Sequence, residues 1–259
     1  VQGGIFTVFT DNSTEQTQLS TGAYKEFAKT WRGEVFVVAS LNDDQSASVR
    51  VLNGDVVAQF DVNQNSTYYE AGGKLDGEII TLPAGAVRAS FGAGYAEEDY
   101  ETNINVINVR STNEVLSRDS AYLFAETFVP LVSPDMGVPL VHALELTAAA
   151  RFTDYSDLGS DTVPRVGVAW SPVEQLRLRS SYSESFRAPS LRELGGQPFI
   201  QIFQFVLGGD TTPTRLILNE AGPPAGDIRP ESSDTFSAGF DWSLPALNGW
   251  EMSGTYFRT

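Results

Sequence analysis

The sequence predicts an all-β protein: an antiparallel up-and-down transmembrane β-barrel present in part, about 8–10 strands of a larger barrel. Three observations carry this reading. From about residue 66 onward the chain falls into segments of about ten residues in which apolar and polar side chains alternate, each bounded by Gly, Pro, Asn or Asp. The connections between segments alternate short and long. Arginines on the segments fall on the face opposite the apolar one.

The alternation places each element. Over residues 141–152, Leu144, Leu146, Ala148, Ala150 and Phe152 share one face, while Glu145, Thr147 and Arg151 share the other. Upstream, Val87, Ala89, Phe91, Ala93 and Tyr95 oppose Arg88, Ser90, Gly92 and Gly94. Downstream, Val166, Val168 and Trp170 oppose Arg165 and Gly167, and Leu176, Leu178, Ser180 and Tyr182 oppose Arg177, Arg179, Ser181 and Ser183. The pattern continues with Phe236, Ala238, Phe240 and Trp242, then with Trp250, Met252, Gly254 and Tyr256. Residues 121–131 are apolar on both faces and the pattern does not orient them. In residues 1–65, "GEVFVVAS" and "SASVRVL" read as a hairpin through "LNDDQ", and "GAYKEFAKTW" (22–31) as a short helix or an external loop.

"TLPAG" (81–85), "VSPDMGVP" (132–139), "SPVE" (171–174) and "LPALNG" (244–249) read as tight turns. The opposite ends carry "EEDYETNINVINVRSTNEVLSRD" after Tyr95, "TDYSDLGSD" after Phe152, and a long stretch from Phe186 to Asp227. Antiparallel strands put the short turns at one end and the long acidic stretches at the other, as outer-membrane barrels require and soluble sandwiches do not. A lipid-facing arginine at mid-depth costs about 2–4 kcal/mol. Arg88, Arg151, Arg165, Arg177 and Arg179 therefore face inward, and a many-stranded barrel has room for them. Trp170, Tyr182, Trp242 and Trp250 lie toward strand ends on the outward set, where amphipathic rings favour the headgroup level. The competing reading takes the same aromatics as the core of a soluble sandwich.

Composition excludes several classes. Among 259 residues there is no cysteine and one histidine, His142, which leaves no thiolate site and nearly excludes a histidine metal cluster or a Ser-His-Asp triad with a spare base. A net charge of −16 argues against a nucleic-acid partner. No apolar run reaches the length of a transmembrane helix. Glu97, Glu98 and Asp99 are neighbouring carboxylates, but their spacing singles out no acid/base pair. No cofactor, metal site or enzymatic activity is expected. The chain opens on Val1 and still alternates at Thr259, so it reads as an excerpt of a longer protein.

With the strands placed, "RFTDYSDLGSDTVPRVGVAWSPVEQLRLRSSYSESFRAPSLREL" resembles the part of TonB-dependent outer-membrane receptors in which a strand, an external loop, a second strand, a short turn and a third strand ending in FRAPSL follow in order. "DGEIITLPAGAVRASFGAGYAEEDY" and "IRPESSDTFSAGFDW" are similar to two further pieces of that family, so the resemblance covers roughly residues 66–259. At Pro189 the strand loses a ladder donor and Ala188 is held extended, so the ladder ends there.

The resemblance implies that residues 1–259 belong to a single receptor barrel domain, with the plug domain and the remaining strands of about 22 outside this sequence. It implies the outer membrane of a Gram-negative bacterium as location, active uptake of a scarce solute (siderophore, cobalamin or saccharide) as function, and outer-membrane lipid, the TonB energy-transducing complex and the solute as partners. Arg88, Arg151, Arg165, Arg177, Arg179 and, at the mouth, Arg187 then contact solute or plug. The same arginines have a structural reading, in which they pair with lumenal carboxylates such as Glu145. "FIQIFQFVL" (199–207) reads as a strand rising above the membrane, or as a lid. The alternatives for the whole chain are a passive porin-like barrel and a soluble carbohydrate-binding module.

Overall fold

The structure is a computed structural model that describes residues 6–52, 54–106, 110–195, 199–205, 214–220, 228–245 and 249–259. Ten strands form one antiparallel sheet in the order β1-β2-β3-β4-β5-β6-β7-β8-β11-β12. They are β1 (Phe6–Phe27), β2 (Trp31–Leu52), β3 (Asp55–Leu82), β4 (Gly85–Val106), β5 (Arg110–Val132), β6 (Ala143–Tyr155), β7 (Gly159–Val173), β8 (Leu176–Arg187), β11 (Glu231–Leu244) and β12 (Trp250–Arg258). A separate two-stranded sheet pairs β9 (Phe199–Phe205) with β10 (Thr214–Glu220). A four-residue helix, α1 (Leu191–Leu194), follows β8.

β1 and β12 are the two edges, so the sheet is an unclosed barrel wall. Among the described residues no second large sheet packs against it, and Leu146, Val166, Val168 and Phe152 are exposed. The sandwich core is thereby excluded. Among the described residues no helix is long and apolar enough to cross a membrane.

Register keeps the residues grouped by alternation in common rows, here called outward and lumenal as alternation assigns them. Leu146 stands between Val129 and Val168, and Val168 is followed by Ser180, Ala238 and Tyr256 along one outward row. One residue along, Thr147 pairs with Phe128 and Gly167, then Ser181 and Ser237 continue the lumenal row. On β6 the outward positions from Leu144 to Phe152 cover about nine residues, ~26 Å along the strand, the length a tilted membrane-crossing strand needs. The tryptophans gather at one end of these columns, as the rings of an aromatic belt do. Trp31, Trp170, Trp242 and Trp250 all face outward beside short turns, and Trp170 donates its indole N–H to the Leu140 carbonyl at 3.2 Å. The upper edge of the columns lies where Tyr95 donates to Asp119 at 2.7 Å and Tyr182 to Glu184 at 3.0 Å.

Several local expectations are corrected. "LNDDQ" is no turn: it lies inside the 22-residue β2, paired residue by residue with β1 and β3. Residues 22–31 are neither helix nor external loop. They finish β1 and turn through Ala28 and Lys29, both left-handed (φ 46° and 62°), into Trp31. The acidic stretch after Tyr95 continues β4 and β5 as a tall hairpin, in register from Tyr95↔Ala121 to Val106↔Arg110. "TDYSDLGSD" closes in a turn of residues 156–158. "VSPDMGVP" contains a 3-10 turn, Pro134–Met136. "FIQIFQFVL" is a strand over Phe199–Phe205, paired with β10 rather than lengthening the wall, and residues 206–207 lie outside the described set.

The wall therefore has a step. β1 to β5 run 22–28 residues and rise well above the upper edge, whereas β6 and β7 end at the Tyr155–Gly159 row, opposite Ser120 of β5.

Candidate functional site

The lumenal face is built by the alternate residues that cannot face lipid. At the short-turn end an open concavity of about 510 Å³ is lined by Lys29, Arg32, Asp76, Glu78, Arg88 and Glu126, among others. Lys74 pairs with Asp76 at 3.1 Å, and Ser90 donates to the same carboxylate at 2.7 Å. Arg88 is loosely held, 3.9 Å from Glu78 and 70% exposed.

Higher up, Glu70 accepts hydrogen bonds from Tyr68 (2.9 Å) and Tyr122 (2.7 Å), while the Arg151 guanidinium lies 3.9 Å from the centre of the Tyr122 ring. The rings of Phe36, Phe124 and Tyr122 lie over Gly72, Gly92 and Gly94 of the neighbouring strands, where any Cβ would collide with them. A smooth aromatic surface on the inner wall results, which accounts for residues 121–131 being apolar on both faces.

Across β6 to β12, Arg177 pairs with Glu145 at 2.8 Å, as the structural reading anticipates. Arg179 pairs with Asp241 and donates to Thr255 at 2.7 Å. Arg165 stands exposed, opposite Ser183, with no ion pair among the described residues. At the mouth, Arg187 pairs with Glu193 (2.9 Å) and Glu231 (3.3 Å). Ser190 caps α1 by accepting from the Glu193 N–H, and Glu193 accepts from the Ser190 N–H in return. These bonds, first that from the Ser190 backbone and then those from Arg187 and the Ser190 hydroxyl, pull the Glu193 carboxyl down to about 2.

The arginines anticipated from alternation thus share a face without converging. Arg88 sits near the short turns, Arg151 on the middle wall, Arg165, Arg177 and Arg179 on β7 and β8, and Arg187 at the mouth. The most buried cation was not anticipated. Arg118 is 5% exposed, grips Asp157 by two nitrogens (2.9 and 2.8 Å), donates to the Pro189 carbonyl at 2.7 Å and lies 3.9 Å from Glu98. Alternation carried back from Tyr122 would have put it on the lumenal face. Among the described residues no group of His, Asp or Glu forms a metal site.

The family model for "TonB dependent receptor-like, beta-barrel" matches residues 2–259. No curated protein matches the chain. Among solved structures, that of the RagAB peptide transporter superposes with a TM-score of 0.63 at 11% identity, covering 96% of this chain and 30% of that one. The ferripyoverdine receptor of the outer membrane of Pseudomonas aeruginosa gives 0.57 at 12% identity, covering 93% and 32%. The siderophore receptor PirA from Acinetobacter baumannii gives 0.52 at 12%, covering 95% and 43%. At these identities the likeness is one of fold, and the chain spans less than half the length of each.

Proposed function

This chain belongs to the TonB-dependent receptor family as part of its β-barrel, and from that premise we propose that it forms one wall of a transporter in the outer membrane of a Gram-negative bacterium. The solute is a scarce one, of siderophore, cobalamin or saccharide class. The observation that carries the reading is the division of one unclosed sheet into an exposed greasy face and a lumenal face of arginines, carboxylates and aromatics. Such a wall performs no bond chemistry; it encloses a wet path and keeps it from lipid.

The PirA structure, that of a siderophore receptor, and the ferripyoverdine receptor, which takes a ferric ligand, favour the siderophore class, whereas RagAB is a peptide transporter. Lumenal cations suit an anionic chelate. Arg88, Arg151 and Arg165, which have weak carboxylate partners or none among the described residues, are the ones available to plug or solute; Arg177, Arg179 and Arg187 already hold carboxylates. The energy comes from the TonB complex acting through a plug.

Deleting the gene and measuring uptake of labelled ferric siderophores, cobalamin and oligosaccharides, with and without a working TonB, tests this. A lost, TonB-dependent uptake of one class is expected. Uptake that persists undiminished without TonB would establish the passive porin reading instead.

A further inference from the structure

The step in the wall raises the question of what fills it. β6 and β7 stop at the row of Ser120, but β5 continues above it, and the chain leaving β8 is the segment that crosses the gap. α1 packs against β4 and β5. The segment after Arg187 passes the β6–β7 turn and lands on the lumenal side of β5. There a Cβ on Gly195 would lie 3.0 Å from Leu116 Cδ1, and Leu191 is 2% exposed.

The fork of Arg118 stands at this crossing. It holds Asp157 in the turn below and the Pro189 carbonyl in the segment above, and it is almost wholly buried between them. A buried guanidinium with both partners satisfied tolerates neither partner's removal, so the three pieces stay together or separate together.

We propose that Arg118 is a positioning residue: it seats α1 on β5, closes the step in the wall, and so gives the external mouth a fixed ledge that excludes bulky solutes. The proposal rests on the reading that solute enters at this mouth.

The test uses the full-length protein in the outer membrane of living cells. Because residues 1–259 contain no cysteine, Leu116→Cys with Gly195→Cys makes a pair whose disulfide reports seating of α1. The cross-link is expected to form readily with Arg118 present and to fall about tenfold in Arg118→Ala and in Asp157→Asn, while Arg118→Lys retains part of it. Heat-modifiable barrel should be equally abundant in all variants, which separates positioning from folding. A second readout places cysteine at the lumenal Ser181 and compares a small maleimide with a bulky polyethylene-glycol maleimide. The bulky reagent should react slowly, and Arg118→Ala should bring its rate toward that of the small one. An unchanged cross-link, or an unchanged ratio of the two labelling rates, overturns the proposal. Neither readout uses a transported solute, so a protein with the ledge but without TonB-driven uptake would refute the transport reading alone.

Discussion

Ala148 and Ala149 are neighbours on β6 that differ in the side of the wall they face, and replacing each by arginine tests the whole orientation. Ala148 stands between Thr127 and Val166, midway along the outward column from Leu144 to Phe152. An arginine there costs about 2–4 kcal/mol, and since 1.4 kcal/mol is a factor of ten, the folding equilibrium falls about 30- to 700-fold. Ala149 stands between Glu126 and Arg165 on the lumenal face. A new guanidinium there is attracted by one neighbour and repelled by the other, each by under about 1 kcal/mol, so the net change is close to zero. Reversible urea unfolding of the full-length barrel in lipid vesicles, followed by the heat-modified band, measures both. Equal losses, or a larger loss for Ala149→Arg, would show that the faces have been assigned the wrong way round.

Three further outcomes follow from particular contacts. Gly92→Ala pushes a Cβ into the Phe124 ring and to 3.0 Å from the Gly73 carbonyl, so it destabilises the barrel by about 1–3 kcal/mol; adding Phe124→Ala recovers part of that loss in the same unfolding assay. Glu193 titrates near 2 in the folded protein instead of near 4.5, so the capping box contributes fully above the ordinary carboxylate range and is lost as pH falls toward 2. Pepsin cleavage at α1, relative to an unstructured reference peptide at the same pH, should accordingly quicken as pH drops through that window, and in Glu193→Ala that ratio should already be high and change little with pH. The Arg177–Glu145 pair is more than half exposed on its arginine side, and a double-mutant cycle should return only about 0.2–1 kcal/mol of coupling.

What could be read from the sequence was whatever the bilayer enforces. Between Leu144 and Phe152, or Val166 and Trp170, water and hydrocarbon leave a side chain only one permissible face, so alternation alone fixes the strands and the common face of Arg151, Arg165, Arg177 and Arg179. Above the bilayer that constraint vanishes. "LNDDQ" sits in a strand with water on both sides, and its Asn and Asp are tolerated there although the same composition marks a turn in an ordinary domain. The real turn nearby, at Ala28 and Lys29, adopts left-handed backbone without Gly or Asn and so carries no local signal. β5 hid its faces for a different reason: Tyr122 and Phe124 are lumenal because Gly94 and Gly92 on β4 leave hollows that only a flat ring from the next strand fills. That fact belongs to the pair of strands and not to either one. Arg118 is the extreme case, since its partners Asp157 and Pro189 lie 39 and 71 residues away and are brought to it only by the step between a tall wall and a short one. Residues that obey the membrane announce themselves singly, whereas those that shape the mouth are defined by strand heights, which no local pattern encodes. Shortening the β4–β5 hairpin from above, while leaving Arg118 in place, should therefore spare its grip on Asp157, but shortening the β6–β7 turn should abolish it.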